Sequence, residues 1–339
     1  MLRGGYGGAR RKRAFRRDFI EPRDEKMDIL QQLRFVRSAL YVPASNARAL
    51  DKARGLDVDM LIIDLEDAVT NEHKAEARAV ALNYVATGLP GKILAIRANG
   101  LDSSHHVADI EALSISSADL IVLPKVEAPG DIPDCDKPVL AMIETPAGLY
   151  SAREIAARTI VAGLIAGTND IAAETGIRPG PHREGLELAL QTIVLAAAVS
   201  DKPRFDGVCN RLDDLSGFDA ECRQGAVYGF TGKTLIHPNQ IRMANQAFGS
   251  DADAVAEAQE LIAANRGGAQ RFKGRMIESM HVEQAKLTIE RSRHAMGDIL
   301  VRSEKYASFP ISLFCQRCIA GVGSGIGQGR DRGGLARPY

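Results

Sequence analysis

Short apolar runs alternate with longer helical patterns along most of this chain, and this alternation constrains the fold more than any other feature. The apolar runs are rich in Val, Ile and Leu and are predicted to be strands. They occupy residues 38–42, 60–65, 93–98, 120–123, 139–143, 163–166, 205–209 and 233–236. Continuous apolar strands separated by helices are typical of parallel βα units. Eight such units within about 230 residues predict an α/β fold, the closed TIM (β/α)8 barrel, which typically takes ~250 residues.

The helical patterns place this barrel at residues 34–250. They occupy residues 47–54, 74–85, 148–157, 184–198, 219–228 and 238–247. An open doubly wound sheet is the alternative, but no nucleotide-binding glycine turn follows the first strand. Residues 251–302 are predicted to be a C-terminal helical lid or oligomerisation segment, in which a turn at 265–268 separates two helices, the second at 278–296. A terminal helix packed on its own barrel is the plainer interpretation of the same pattern.

The two ends of the chain differ in composition from the rest. Residues 1–30 include the basic run Arg10 to Arg13 with little apolar periodicity, which predicts a disordered arm. A transit peptide or a start codon placed before Met27 would also explain this stretch. Residues 303–339 are predicted to be a flexible Gly-rich tail, in which Cys315 and Cys318 form a lone CxxC pattern, a weak signal for a metal or redox site.

Composition limits the classes of partner. The 43 basic and 43 acidic residues cancel, so no net charge attracts nucleic acid or an anionic membrane. No apolar run approaches the ~20 residues that span a bilayer. Five cysteines, an odd number at irregular positions, do not form a disulfide framework and indicate a reducing compartment. We therefore expect a cytoplasmic protein that binds small molecules and further copies of itself.

Charged residues follow five consecutive predicted strands. The strand ends carry Asp64, Glu66 and Asp67, then Arg97, then Lys125, then Glu144, then Asp170. Charges directly after a buried strand are costly unless they are paired, and the catalytic groups of a TIM barrel lie at the carboxyl ends of its strands. These residues are therefore predicted to form one polar site.

Glu144 and Asp170 lie about one strand–helix repeat apart and should stand on adjacent strand ends, ~4.8 Å from each other. Carboxylates without a nearby histidine or cysteine favour Mg²⁺ over zinc. The alternative is that each carboxylate caps the following helix or pairs with Arg97 or Lys125. Arg97 suits a substrate carboxylate because its guanidinium can bind in a bidentate manner; an ion pair to Glu66 or Asp67 is the alternative.

Six ordered motifs resemble the citrate lyase beta-chain-like branch of the HpcH/HpaI aldolase family. They are Leu-Tyr-Val-Pro-Ala-Ser-Asn at 40–46, Asp-Leu-Glu-Asp-Ala-Val at 64–69, Leu-Pro-Lys-Val-Glu at 123–127, Ile-Glu-Thr-Pro-Ala-Gly at 143–148, Gly-Thr-Asn-Asp at 167–170 and Gly-Lys-Thr-Leu-Ile-His-Pro at 232–238. The resemblance extends over residues 36–295. It implies a TIM barrel, a trimer or hexamer, that cleaves or forms a 3-hydroxyacyl-CoA thioester such as malyl-, citramalyl- or citryl-CoA, with a 2-oxo acid and an acyl-CoA as products.

The resemblance also implies roles for individual residues. Glu144 and Asp170 resemble the Mg²⁺ ligands, with Glu144 also near the substrate, and Arg97 resembles the clamp on the 2-oxo acid carboxylate. Glu66 and Asp67 resemble the outer carboxylates that orient metal-bound water.

Three further residues match positions at which this family meets the phosphates of CoA. They are Asn46, Arg48 and Lys74.

The sequence departs from the family pattern at a proposed proton-transfer residue. Relatives carry an aspartate after Met-Ile on a lid from the next subunit, whereas this chain has Glu278 there. Glu278 is interpreted as a longer catalytic acid, as a sign of thioester hydrolysis, or as a residue that begins a helix. Three other functions stay open: a malyl-CoA-type thioesterase, a CoA-independent aldolase, and a citrate lyase beta subunit acting on acyl-carrier-bound citrate.

Overall fold

The computed structural model of the protein describes residues 28–178, 180 and 182–306, with side chains described to residue 294. Eight parallel strands close into one barrel in the order of the chain, which confirms the TIM-barrel prediction. The strands are β1 (Ser38–Pro43), β2 (Met60–Asp64), β3 (Ile93–Arg97), β4 (Leu120–Leu123), β5 (Val139–Ile143), β6 (Val161–Ala166), β7 (Arg204–Asp206) and β8 (Gly232–Leu235).

Side chains alternate between the barrel interior and the surrounding helices because successive residues of a strand point to opposite faces. On β2, Met60 and Ile62 belong to the interior cluster, whereas Leu61 and Ile63 pack under the helices. All of β2 is buried, so both of its faces read as apolar in the sequence. The prediction for β7 was too long because the chain leaves the barrel after Asp206.

Helices follow most strands. They are α1 (Ile29–Gln32), α2 (Ala47–Ala53), α3 (Lys74–Ala86), α4 (His106–Ser114), α5 (Pro146–Ala157), α6 (Thr168–Thr175), α7 (Glu187–Val199), α8 (Leu215–Tyr228), α9 (Ile241–Ala247), α10 (Ala252–Ala264) and α11 (Ser279–Tyr306). The six predicted helices all lie in these places, to within a few residues at their ends. Between β4 and β5 the chain forms only the 3-10 helix Pro129–Asp131.

The C-terminal segment contains a hairpin that was not predicted. Strands β9 (Gln270–Phe272) and β10 (Arg275–Ile277) pair antiparallel between α10 and α11. Lys273 and Gly274 form the two-residue turn, and both have positive φ angles, 44° and 82°, as the tight turns of hairpins require. Ile277 then packs with residues of α10 and α11 in a small separate core.

The described helices overlap both predicted terminal segments. Helix α1 begins at Ile29, within the predicted arm at 1–30, and Ile29 packs against the interior cluster of the barrel. Helix α11 continues to Tyr306, beyond the predicted start of the tail at 303, and no proline interrupts it. The basic run at 10–13 and the Cys315–Cys318 pair lie outside the described residues.

Helix α11 contacts the barrel of its own chain. The His294 ring stacks on Phe35 with the ring centroids 4.0 Å apart.

Among the described residues, no helix combines the length and apolar character that a membrane span requires.

Candidate active site

A cavity of about 360 Å³ opens at the carboxyl ends of the barrel strands. Its lining combines charged residues with apolar residues from the barrel interior. The charged ones are Asp64, Asp67, Arg97, Glu144 and Asp170, and the others include Tyr41, Met142, Ile165, Gly167, Thr168, Asn169, Val208, Asn210 and Thr234. The predicted metal ligands and the predicted substrate arginine therefore meet in one cavity, as the strand-end argument required.

Arg97 at the end of β3 is held by carboxylates from the end of β2. Its Nε and Nη2 donate to the two oxygens of Asp64 at 2.7 and 2.8 Å. Its Nη1 pairs with Glu66 Oε2 at 2.7 Å and with Asp67 Oδ2 at 3.4 Å. Both ion pairs that were weighed as the alternative for Arg97 are thus present, and its role as a carboxylate clamp stays a prediction. Asp64, which is 2% exposed, belongs to the predicted polar strand ends, but no individual role was predicted for it.

The Arg97 guanidinium also lies over the ring of Tyr41, with Cζ 4.9 Å from the ring centroid. Burial acts to lower the pKa of Arg97, but the charge of Asp64 outweighs it and holds that pKa well above its ordinary value. Burial raises the pKa of Tyr41 above its usual range, with Arg97 acting in the opposite direction. Arg97 therefore remains a cation and Tyr41 remains a neutral hydroxyl.

Glu66 is a second carboxyl with an unusual environment. Burial raises its pKa to about 8; Arg97 opposes the shift, and the negative charge of Asp67 adds to it. The Lys125 ammonium lies 3.9 Å from Glu66 Oε1. Near neutral pH, Glu66 in the metal-free protein therefore carries a proton in a large fraction of molecules.

Glu144 follows β5 and is 2% exposed. Its Oε1 accepts the backbone N–H of Lys125 at 2.6 Å, and Lys125 adopts a positive φ of 51° at that point. Its Cβ and Oε2 lie directly against Gly167, so that a side chain at position 167 would overlap them. Burial raises the pKa of Glu144 to about 7; the Lys125 N–H opposes this shift, and the negative charge of Asp170 adds to it.

Asp170 lies in the first turn of α6 and faces the same cavity. The alternative that these carboxylates cap helices is not met for Glu144, because Thr145 caps α5 by accepting the Gly148 N–H. Helix α6 begins at Thr168, and its N-cap residue, Gly167, has no side chain to cap it. Both carboxylates therefore remain available to the cavity.

The charges in and around the cavity favour a bound cation. Asp64, Glu66, Asp67, Glu144 and Asp170 are five carboxyl groups, against the two cations Arg97 and Lys125. The raised pKa values of Glu66 and Glu144 reduce this excess of negative charge near neutral pH until a bound cation displaces their protons. Among the described residues, no group of three His, Cys, Asp or Glu side chains is arranged to hold a metal by itself. Mg²⁺ keeps several waters and needs only one or two protein carboxylates. Glu144 and Asp170 are two oxygen donors of the kind this ion prefers, and the absence of a side chain at Gly167 makes room for Glu144 in the cavity wall.

The three residues expected near CoA phosphates differ in accessibility. Asn46 caps α2 by accepting the Ala49 N–H at 3.0 Å, and Arg48 is exposed on that helix. Lys74 is 9% exposed, and its ammonium donates to the carbonyls of Leu65 and Glu66 at 3.0 and 2.8 Å. The ammonium of Lys74 thus supports the loop after β2 instead of facing the solvent.

Glu278 lies between the hairpin and α11, and its side chain is exposed. Its backbone N–H donates to His281 Nδ1 at 3.0 Å. Glu278 is absent from the lining of the cavity in its own chain. Its role in proton transfer therefore stays a prediction.

Several lining residues were missed by the sequence analysis. Asn210 Nδ2 donates to Asn169 Oδ1 at 2.8 Å and thereby links the loop after β7 to the start of α6. Asn210 directly follows the predicted strand 205–209, so the rule that polar strand ends form the site could have found it. Tyr41 lies within the motif at residues 40–46. Its place in the cavity depends on the inward direction of its side chain, which the sequence alone does not show.

A second ionic cluster lies beside the cavity, between β7, β8 and α8. Lys233 is fully buried and bonds to Asp206 Oδ2 and Glu221 Oε1, each at 2.9 Å. Arg183 donates to Asp206 Oδ1 at 2.8 Å. Burial alone would raise the pKa of Asp206, but the charges of Lys233 and Arg183 hold it below its ordinary value. This cluster fixes α8 to the barrel.

A family model, similar sequences and a similar solved structure all relate this chain to the same family. The profile of the HpcH/HpaI aldolase/citrate lyase family matches residues 37–238. A (3S)-malyl-CoA thioesterase of Cereibacter sphaeroides is 38% identical over 268 residues, which cover 76% of this chain and 94% of that protein. The citrate lyase subunit beta of Haemophilus influenzae is 30% identical, covering 77% and 98%. The Mycobacterium tuberculosis protein CitE, solved with magnesium, acetoacetate and coenzyme A, is 29% identical with a TM-score of 0.66, covering 75% and 97%.

Proposed function

The chain belongs to the HpcH/HpaI aldolase/citrate lyase family, and on that premise we propose that it is a Mg²⁺-dependent enzyme that cleaves or forms a carbon–carbon bond in a 3-hydroxyacyl-CoA thioester. The reaction yields a 2-oxo acid and an acyl-CoA. The observation that carries this proposal is the pairing of Glu144 and Asp170 in a cavity with excess negative charge. The solved CitE complex with magnesium and coenzyme A supports the same combination of ligands.

Glu144 and Asp170 are the residues that would hold the ion. Bound Mg²⁺ supplies a Lewis acid for the oxygens of the 2-oxo acid fragment. The chain orients Glu144 through the Lys125 N–H, so the carboxylate needs little rearrangement before it binds. Apolar residues such as Ile165 and Val208 complete the wall and restrict water near the reacting groups.

The CoA portion of the substrate is proposed to lie along the rim at β1 and α2. Arg48 is exposed there, and Asn46 lies at the start of α2. A guanidinium at the rim can pair with phosphate groups. Because the ammonium of Lys74 bonds to two backbone carbonyls, Lys74 is assigned to the support of the loop after β2.

The complete site is proposed to need a second copy of the chain in a trimer or hexamer. Glu278 would then come from the neighbouring subunit and act in proton transfer. Its exposure and its absence from the cavity of its own chain support this arrangement. Cyclic assemblies in which each lid serves the next site are consistent with the symmetry of soluble oligomers.

Thioester hydrolysis is the second candidate function. The (3S)-malyl-CoA thioesterases of Cereibacter sphaeroides are 38% identical to this chain, compared with 30% for the citrate lyase subunit beta. Hydrolysis would use the same metal and cavity, but water would attack the thioester carbonyl. It releases free CoA thiol and a hydroxy acid, whereas carbon–carbon cleavage releases a 2-oxo acid and leaves the thioester intact.

The two reactions are separated by their products. The purified protein is incubated with malyl-, citramalyl- and citryl-CoA, with Mg²⁺ or with a chelator, and both 2-oxo acid and free thiol are measured. We expect Mg²⁺-dependent release of a 2-oxo acid from one of these substrates. Release of thiol without a 2-oxo acid would establish the hydrolase instead. Neither product from any substrate would refute both functions.

A complementation experiment tests the role of Glu278. Glu144→Ala and Glu278→Gln are each expected to be inactive alone. If Glu278 acts on a neighbouring site, random co-assembly of the two variants should restore about a quarter of the sites, because each active site then draws its two intact residues from different subunits. Absence of recovery in mixed oligomers would contradict the shared site.

A further inference from the structure

Tyr41 lies at the floor of the cavity, and the proposed reaction assigns no role to it. It lies on β1, packs against the interior cluster of the barrel and lines the cavity. Its hydroxyl points across the barrel to Met142 Sδ at 3.5 Å. A thioether is a weak acceptor, and within the described part of the chain the hydroxyl has no stronger one. A buried hydroxyl with so weak a partner retains most of its capacity to donate a hydrogen bond.

The ring of Tyr41 is held in place. The guanidinium of Arg97 lies over it, and Arg97 is itself anchored to Asp64 through two short hydrogen bonds. A donor that is fixed before the ligand arrives loses little conformational freedom on binding. The Tyr41 hydroxyl is therefore preorganised toward the space above Met142.

Other donors near the floor are already engaged. Arg97 directs Nε and Nη2 to Asp64 and Nη1 to Glu66. The Lys125 N–H donates to Glu144. Thr234 on β8 also lines the cavity, but its hydroxyl donates to the Asp206 carbonyl at 2.9 Å. Of these two interior hydroxyls, that of Tyr41 has the weaker partner and is the one left for a ligand oxygen.

From this geometry we propose that the Tyr41 hydroxyl donates a hydrogen bond to an oxygen of the bound 2-oxo acid fragment and so helps to select and position that fragment. The proposal rests on the proposed function. Glu144 comes two residues after Met142, on the same side of β5, so the fragment that meets the metal is also the one that reaches Tyr41. The CoA portion enters from the rim and is too remote to compete for this hydroxyl.

The test is Tyr41→Phe, which removes the hydroxyl and keeps the ring beneath Arg97. Calorimetric titration with pyruvate, with glyoxylate and with oxaloacetate, in the presence of Mg²⁺, measures binding without turnover. Loss of a hydrogen bond to a charged ligand should weaken 2-oxo acid binding roughly ten- to hundredfold. Binding of Mg²⁺ alone and of acetyl-CoA should be unchanged. Tyr150→Phe is the matched control because the Tyr150 side chain is 91% exposed on α5.

Each outcome is decisive. If the wild-type protein binds Mg²⁺ but none of the three 2-oxo acids, the proposed function fails and this inference fails with it. If the wild type binds a 2-oxo acid and Tyr41→Phe binds it equally well, the proposed function stands and the inference is wrong. If Tyr41→Phe weakens Mg²⁺ binding to the same extent, the hydroxyl acts on the metal site and the inference is also wrong.

Discussion

Replacement of Gly167 by alanine should damage the metal site while leaving the barrel intact. Gly167 has φ −95°, an angle that alanine adopts without strain, so this dihedral angle does not oppose the change. The added methyl group would overlap Cβ and Oε2 of Glu144 and lie 3.1 Å from its carboxyl carbon. Carbon atoms in favourable contact are about 3.5–4.0 Å apart. Because Cβ is fixed to the main chain, the backbone at Glu144 or Gly167 must shift and the Glu144 carboxylate must move with it.

The size of the effect follows from this displacement. A shift on the order of 1 Å is enough to cost about a hundredfold in rate when a catalytic group is misplaced. The same shift would stretch the 2.6 Å bond from the Lys125 N–H and move Glu144 relative to Asp170. We expect the Mg²⁺ dissociation constant to rise at least about tenfold. Overpacking of this kind typically costs about 1–3 kcal/mol of stability, which a barrel of this size should survive.

Calorimetric titration of Mg²⁺, steady-state kinetics and urea unfolding measure the three effects separately. Gly130→Ala is the matched control, because the methyl group added at Gly130 would enter open space with no heavy atom within 4 Å, and Gly130 has no positive φ. The control should match the wild type in all three measurements. If Gly167→Ala binds Mg²⁺ within about threefold of the wild type, short of the roughly tenfold weakening expected from a displaced ligand, then Glu144 does not hold the ion.

Three further predictions concern charge. Lys233→Met leaves Asp206 and Glu221 buried without their ammonium partner and should lower the free energy of unfolding by about 3–5 kcal/mol. The control Lys286→Met, at an exposed ion pair, should change the free energy of unfolding by less than about 1 kcal/mol. Equal midpoints of urea unfolding for the two variants would contradict this prediction. Because the pKa of Glu144 is raised to about 7, Mg²⁺ must displace a proton from Glu144 below that pH. The Mg²⁺ affinity measured by calorimetry should therefore be constant above about pH 7 and fall about tenfold per pH unit below it. An affinity that does not change with pH would contradict this prediction. Mg²⁺ at about 100 times its dissociation constant should stabilise the wild type by about 2.7 kcal/mol and have no effect on Glu144→Ala, and equal stabilisation of both would exclude this ligand.

The barrel could be predicted because its strands are buried on both faces. Such strands leave continuous apolar runs, as residues 60–64 do, and the helices between them set the spacing. The hairpin at residues 270–277 gave no comparable signal. Its strands have three residues each, too few to show an alternating pattern. Its turn depends on a positive φ at Lys273, and a lysine in the sequence does not indicate such an angle.

The sequence predicts which strand ends carry charge, but it does not predict which of these side chains contact each other. Asp64 and Arg97 are register partners on neighbouring strands, which places their side chains together in the interior. That register depends on the closure of the barrel and cannot be obtained from the spacing of residues. The same limit applies to Lys74, whose long side chain turns inward to two carbonyl groups because the loop after β2 passes directly above it.

The left-handed backbone at Lys125 offers a place to redesign the enzyme. The group that orients Glu144 is the main-chain N–H, which every residue except proline carries, while the Lys125 side chain is 43% exposed. Glycine would adopt the φ of 51° more easily than lysine does. The positive charge beside Glu66 could thus be removed or reversed without loss of the donor to Glu144, so position 125 allows the charge near the cavity to be changed independently of the geometry of Glu144.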